Sequence, residues 1–209
     1  MQQTNIATIN TTDKVILKAV QSLKERNFDA EVLATKEEAL SRIKELIPAG
    51  SSVMNGSSRT LEQIGFTDYL KAGRHGWDNL HLKVLAEKDP VKQGLLRKQA
   101  TVSDFYLGSV QALTEEGEML IVSNTGSQLP GIAFNSPNLI FVVGEQKIVP
   151  DLSAAFKRIK EQVIPLENEN IQKKYGINTT WAKTLILHRE NPMMGRKVKV
   201  LIVKENLGF

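Results

Sequence analysis

The sequence predicts an α/β fold in which a mainly parallel sheet is packed between helices. Strand-like and helix-like apolar periods alternate between residues 12 and 64, which is typical of such a sheet. The run Leu139–Val143 is entirely apolar, as expected of a central strand that is buried on both faces. The 209 residues are 41% hydrophobic and 24% charged, a balance that suits one globular domain.

The first part of the chain shows this alternation most clearly. Its predicted elements are a helix over 12–26, a strand over 30–33, a helix over 35–47, a strand over 52–55 and a helix over 60–64. Ile16, Ala19 and Leu23 have the spacing of one helix face. Thr35 and Glu38 form a capping box that begins the second helix, and Pro48 ends it.

The second part of the chain is less regular. We predict a strand at 81–86, a helix that begins at Asp89-Pro90, an antiparallel hairpin of 105–113 with 118–123, a helix that begins at Asp151, and a last strand at 198–203. The sequence contains no internal repeat and no interdomain linker. We therefore expect a single domain over 1–209, with the N-terminal segment 1–25 as a helix that packs on it.

The composition excludes several classes of function. The net charge of +4 is spread along the chain without a basic block, so nucleic acid is not an expected partner. The absence of cysteine excludes disulfides and thiolate-bound metal or iron–sulfur clusters. The sequence shows neither a signal peptide nor an apolar run of membrane-spanning length. We therefore expect a soluble cytoplasmic protein.

A glycine-serine turn is the first candidate site. Gly56, Ser57 and Ser58 follow a predicted strand and open a helix, where free backbone N–H groups favour an anion. Arg59 offers a bidentate contact to the same anion, and Thr60 adds a hydroxyl. The alternative is an ordinary capped turn, in which a serine only satisfies the start of the helix.

A pair of carboxylates is the second candidate. Glu115 and Glu116 precede Gly117 at the predicted hairpin turn, and one of the two acids could serve as base, acid or acyl acceptor. A solvated turn explains the same residues without chemistry. The polar loop at 124–128, with Asn124, Gly126 and Ser127, is either a ligand-binding loop or a plain connection. The three histidines lack the spacing of a metal pair, so no metal site is predicted.

Four segments resemble the LUD (lactate-utilisation, DUF162) domain family. FYLGSVQALTEEGEMLIV is similar to the family segment in which a strand reaches A-I-T-E-x-G and turns back. NGSSRTLEQIGF, NLIFVVGEQKIVPDLSAAFKRIK and KVKVLIVKENLGF resemble a glycine-serine turn, an apolar strand with the helix after it, and the C-terminus of the subgroup of about this length. The order and spacing of these segments cover nearly the whole chain.

The resemblance implies a three-layer α/β/α fold like that of sugar-phosphate isomerases and CoA-transferases, with a small antiparallel β excursion. It implies that Gly56, Ser57, Ser58 and Thr60 bind an anion, that Glu115 performs acid/base or acyl chemistry, and that Asn124, Gly126 and Ser127 line the cleft. The implied ligand is a small carboxylate, a sugar phosphate or an acyl-CoA. Fold-level analogy does not by itself establish a reaction.

This chain departs from the pattern in three places, the first of which is Gln111 in place of the family's asparagine. Residues 176–187 read GINTTWAKTLIL and lack the cysteine cluster of many relatives, and Gln128 stands where the family loop has an arginine. Three hypotheses remain: a ligand-binding protein or enzyme of organic-acid metabolism, a non-catalytic accessory subunit of a lactate-oxidation iron–sulfur and flavin complex, and a degenerate member that keeps only the fold. The cofactor is unknown, and a homo-oligomer is one option for the quaternary state.

Overall fold

The structure is a computed structural model that describes residues 11–209, so residues 1–10 of the predicted N-terminal segment lie outside the described part. Its main feature is a six-stranded sheet. The strands are β1 (Asp29–Leu33), β2 (Ser52–Asn55), β3 (Asp78–Asn79), β4 (Phe105–Gly108), β7 (Asn138–Gly144) and β10 (Lys197–Val203). Their order across the sheet is β1-β10-β7-β4-β2-β3, and all five pairs are parallel.

Helices cover both faces of this sheet. They are α1 (Thr11–Glu25), α2 (Lys36–Leu46), α3 (Arg59–Gln63), α4 (Phe66–Lys71), α5 (Leu80–Ala86) and α6 (Pro90–Gln99). Residues of α1, α5 and α6 pack with one face, and residues of α2, α3 and α4 pack with the other. The three-layer α/β/α prediction is confirmed.

The central strand shows why both faces are filled. In β7, Leu139, Phe141 and Val143 join the core under α1, whereas Ile140 and Val142 join the core under α2. Successive side chains of a strand point to opposite faces, so an uninterrupted apolar run supplies both cores at once.

A second, smaller sheet contains the predicted β excursion. Its strands are β5 (Ala112–Thr114), β6 (Met119–Ser123), β8 (Ile148–Val149) and β9 (Lys183–Leu187), in the order β8-β5-β6-β9. The β5–β6 and β6–β9 pairs are antiparallel, and the β5–β8 pair is parallel. Helix α7 (Leu152–Arg158) packs on it, and a π-helical turn (Ile159–Val163) connects α7 to α8 (Ile164–Tyr175).

Three local predictions need correction. Residues 81–86, predicted as a strand, lie in helix α5, whose start is capped by the side chain of Asn79. The predicted strand 105–113 is two strands, because the chain leaves the large sheet after Gly108 and enters the small one at Ala112. The segment after Trp181, for which the sequence predicted no element, forms β9. Its partly exposed residues lack the apolar run that marks a buried strand.

Among residues 11–209, no helix has the length and apolar character needed to cross a membrane.

Candidate functional site

A cavity of about 530 Å³ opens at the carboxyl end of the parallel strands. The chain reaches its wall directly after β2, at Gly56, directly after β4, at Ser109, and shortly after β7, at Lys147. Ligand sites of open parallel sheets form at this edge, because loops from neighbouring strands converge there. The cavity therefore combines residues that are far apart in the sequence.

The predicted glycine-serine turn forms part of this wall. Gly56, Ser57, Ser58, Arg59 and Thr60 all line the cavity. The hydroxyl of Ser58 accepts a hydrogen bond from the Leu61 N–H at 3.3 Å and so caps α3. Helix α3 has only five residues, so its dipole adds little to anion binding. The turn is thus a capped helix start that also faces a cavity.

Gly56 allows a close approach of other side chains to the turn. A Cβ atom at this position would lie 2.8 Å from Gln128 Oε1 and 3.2 Å from the Tyr106 hydroxyl. Tyr106 is buried, and its burial raises the pKa of its phenol above the ordinary value. The phenol therefore stays protonated and is available as a hydrogen-bond donor beside the turn.

Lys147 is the most unusual residue of the cavity. It is 3% exposed, and its Nζ donates to Thr60 Oγ1 at 2.9 Å, to Ser109 Oγ at 3.0 Å and to the Val110 carbonyl at 3.2 Å. All three partners are neutral, and within residues 11–209 no carboxylate lies within ion-pair distance of this ammonium group. A buried charge without a counter-ion is costly. Its burial, together with the nearby Arg158 guanidinium, lowers the pKa of Lys147 to about 7.

His81 lines the same cavity and has a defined tautomer. Its Nδ1 lies 3.0 Å from the Asn55 carbonyl, and because a carbonyl only accepts, this nitrogen carries the proton. Burial lowers the pKa of His81, so the ring is neutral at physiological pH. The other nitrogen, Nε2, has no hydrogen-bond partner among the described residues and retains its lone pair. His81 is therefore suited to accept a proton.

A further part of the cavity wall is formed by α8 and the segment that follows it. Ile164, Ile171, Tyr175, Ile177 and Trp181 give this wall an apolar and aromatic surface. Glu167 is its acidic residue, and burial raises the pKa of that carboxyl. The remaining charged lining residues are the cations Arg59, Arg97 and Lys147. The cavity lining thus combines cationic and polar residues with an apolar and aromatic surface from the α8 segment.

The polar loop at 124–128 is only partly on the cavity. Asn124 and Ser127 line it, together with Gln128. Gly126 does not line it. Its positive φ of 81° shapes the turn, and its backbone N–H donates to Ser123 Oγ at 2.9 Å. The structure therefore brings two of the three predicted loop residues to the site, and the third shapes the loop.

Glu115 does not line the cavity. Its carboxylate lies 3.1 Å from the Lys18 ammonium group of α1, which also contacts Glu116 at 2.9 Å. The backbone N–H of Glu115 donates to the Val149 carbonyl at 2.8 Å and extends the pairing of β5 with β8. The structure thus places the acidic pair against α1, apart from the glycine-serine turn.

Sequence reasoning missed the roles of Lys147, His81, Ser109 and Tyr106. For Lys147 a signal existed: it follows the apolar run Leu139–Val143 by four residues, so it must lie at the same sheet edge as the glycine-serine turn. His81 could not be found in this way, because its segment was predicted as a strand. Among residues 11–209, no group of three or more histidine or acidic side chains could hold a metal ion.

Comparisons with known proteins agree with this architecture. A crystal structure of a DUF162 family protein from Deinococcus radiodurans superposes with a TM-score of 0.56 at 10% identity, covering 93% of this chain and 99% of that one. This likeness shows the fold alone. No curated protein matches the sequence. The family model of the LUD domain matches residues 16–202. The chain therefore belongs to the LUD domain family, which is linked to lactate utilisation.

Proposed function

We propose that this protein binds a small anionic ligand, a carboxylate, sugar phosphate or acyl-CoA, in the cavity at the carboxyl edge of the sheet. The ligand would belong to the organic-acid metabolism to which the family is linked. The anionic group would lie between the Gly56–Thr60 turn and Lys147, with Asn124 and Ser127 on the adjacent wall.

The single observation that carries this proposal is the buried ammonium group of Lys147 without an acidic partner. A lysine at 3% exposure normally pairs with a carboxylate, because its lost hydration must be replaced. Arg158 is a second buried cation near it, and its Nη1 atom has no hydrogen-bond partner among the described residues. An incoming anion would neutralise this local excess of positive charge.

The shape and lining of the cavity support the same ligand class. A volume of about 530 Å³ exceeds that of a simple carboxylate and leaves room for a larger body. Apolar residues such as Ile171 and Trp181 would contact that body, while the cations hold the anionic group. This mixed lining favours a ligand with a charged end and a less polar remainder.

Ligand-induced thermal shift tests the proposal. We would measure the Tm of the wild-type protein with L-lactate, ribose 5-phosphate and acetyl-CoA, each over a concentration series. We expect at least one compound to raise the Tm. The Lys147→Met variant should bind the same compound at least roughly 30-fold more weakly, because loss of a buried charge partner costs about 2 kcal/mol or more.

The matched control is Glu115→Gln, which removes a charge outside the cavity and should leave the shift unchanged. Circular dichroism of each variant without ligand checks that the fold is retained. An unchanged shift in a folded Lys147→Met protein, or no shift with any of the three compounds, would contradict the proposal.

A further inference from the structure

We infer that Lys147 is a nucleophilic amine that forms a reversible imine with an aldehyde or ketone bearing a carboxylate or phosphate group. The inference rests on the proposed anion site and deepens it, because it names the reactive group of the ligand. It would give the cavity a covalent step in addition to binding.

The hydrogen bonds of Lys147 are compatible with a neutral amine. The Ser109 hydroxyl lies 2.6 Å from the Val142 carbonyl and donates its proton there, so Ser109 Oγ is left to accept from Lys147. The Val110 carbonyl accepts the second N–H of the amine. The third partner is the Thr60 hydroxyl, which can donate to the lone pair of nitrogen as readily as it accepts. All three contacts therefore persist when the ammonium group loses a proton.

The environment also makes the neutral amine abundant. No carboxylate among the described residues stabilises the ammonium form, and burial together with Arg158 lowers the pKa of Lys147 to about 7. A comparable exposed lysine is almost fully protonated at neutral pH and is a poor nucleophile. Lysines used in imine chemistry are activated in this way, by desolvation or a nearby cation.

The chemistry of amines decides between the possible electrophiles. Attack on an acyl thioester would leave Lys147 as a stable amide, so that product would block the site after one event. Attack on an aldehyde or ketone is reversible. The nitrogen lone pair forms the C–N bond, the C=O electron pair moves to oxygen, and that oxygen takes the proton released by nitrogen, which gives a carbinolamine. The C–O bond then breaks and water leaves with the second N–H proton, which gives the imine, and addition of water reverses both steps.

The surrounding groups suit these proton transfers. The Thr60 hydroxyl lies 2.9 Å from Nζ and can pass a proton between nitrogen and oxygen. The neutral His81 lines the same cavity, and its Nε2 can accept a proton. The anion site beside Lys147 would hold the charged group of the substrate, which raises its local concentration.

Trapping of the imine tests the inference. Wild-type protein would be incubated with glyoxylate, with glyceraldehyde 3-phosphate or with uncharged propanal, each with sodium cyanoborohydride, and then analysed by intact mass and peptide mapping. We expect one reduced adduct at Lys147 with at least one of the anionic aldehydes. It should form roughly tenfold faster than with propanal. The adduct that forms distinguishes a carboxylate-bearing from a phosphate-bearing substrate.

Two variants sharpen the test. Lys147→Arg keeps a positive charge but removes the amine, so the adduct should disappear, whereas Lys92→Arg changes an exposed lysine and should leave it intact. Trace acetylation of the wild-type protein across a pH series is independent of any variant, and Lys147 should react with a midpoint near pH 7. Absence of the Lys147 adduct with both anionic aldehydes overturns the inference. If a Tm shift by anions persists in that case, the proposed function stands, and if the shift is also absent, both fail.

Discussion

The turns at Gly56 and Gly117 are both candidate sites in the sequence, yet their surroundings in the fold differ completely. Gly56 is approached by the ends of the Gln128 and Tyr106 side chains and faces a cavity. A Cβ at Gly117 would lie 2.8 Å from the backbone carbon of Ser22, and this glycine has a φ of 87°. The first glycine leaves room at a site, and the second lets a turn pack against helix α1.

The carboxylate pair next to Gly117 was a candidate for catalysis, and in the structure it lies against α1. Glu115 and Glu116 are held by Lys18, and the Arg26 side chain donates to the Glu116 carbonyl. These contacts join the β5–β6 turn to α1. They explain the Glu115-Glu116-Gly117 motif by its packing against that helix. The role of a short motif therefore depends on the residues that pack against it in the folded protein.

The largest expected effect is a difference in stability between alanine variants of the two glycines. Gly117→Ala should lower the free energy of unfolding by roughly 3 kcal/mol, because the new methyl group meets helix backbone and the left-handed conformation disfavours alanine. Gly56→Ala meets only the flexible Gln128 side chain and the Tyr106 hydroxyl, and should cost less than about 1 kcal/mol. Urea unfolding of both variants measures the difference, and equal losses would refute this comparison.

The second prediction concerns the pH dependence of stability at Lys147. Its pKa is about 7 in the folded protein and 10.5 for an unperturbed lysine of the unfolded chain, so between these values the unfolded chain binds more protons. The free energy of unfolding of the wild type, relative to Lys147→Met, should therefore rise with pH. The expected slope is about 1.4 kcal/mol per pH unit between roughly pH 7.5 and 9.5.

Urea unfolding of both proteins across this pH range checks the slope, since titrations common to the two proteins cancel in the difference. Because the penalty of the buried ammonium is fully present below about pH 7, the difference should level off there. A flat difference from about pH 6 to pH 9.5 would mean that Lys147 keeps an ordinary pKa.

The smallest expected effect lies at the acidic turn. Glu115→Gln breaks an ion pair with Lys18, whose side chain is 50% exposed, and solvent-screened pairs of this kind contribute little. The Tm should fall by no more than about 2 °C, and ligand-induced shifts should remain at the wild-type level. Scanning calorimetry with and without ligand measures both. If the variant kept its Tm without ligand but lost the ligand-induced rise in Tm, Glu115 would have to contribute to the ligand site.

Much of the fold was predictable because its signals are local. Leu139–Val143 is apolar without interruption, and Thr35, Asp89 and Asp151 each begin a helix, as their capping bonds show. The sheet change between Gly108 and Ala112 was missed, because both strands are apolar and too short for a period to show the break. Residues 81–86 were misassigned for a similar reason: so short a segment cannot distinguish the two periods.

Less of the candidate site than of the fold could be predicted from the sequence. The glycine-serine turn was recognised from its own residues, and the structure places it on the cavity. Its partners Ser109 and Lys147 come from loops after two other strands, and although both lie in segments that resemble the family, neither was predicted as a site residue. Pairing of the turn with Glu115 followed from the resemblance, and nothing local in the sequence could reveal that the acidic turn faces α1.

By itself, the sequence determined the alternation of strands and helices, the absence of disulfides and thiolate ligands, and the family. These depend on composition, on local patterns and on the order of those patterns. Only the tertiary structure decided which polar residues meet. Parallel strands bring their carboxyl ends to one edge whatever their separation in the chain, and so Lys147 lies beside Thr60 although 87 positions separate them. The burial that lowers the pKa of Lys147 exists only after this assembly, and it distinguishes this lysine from the exposed lysines of the chain.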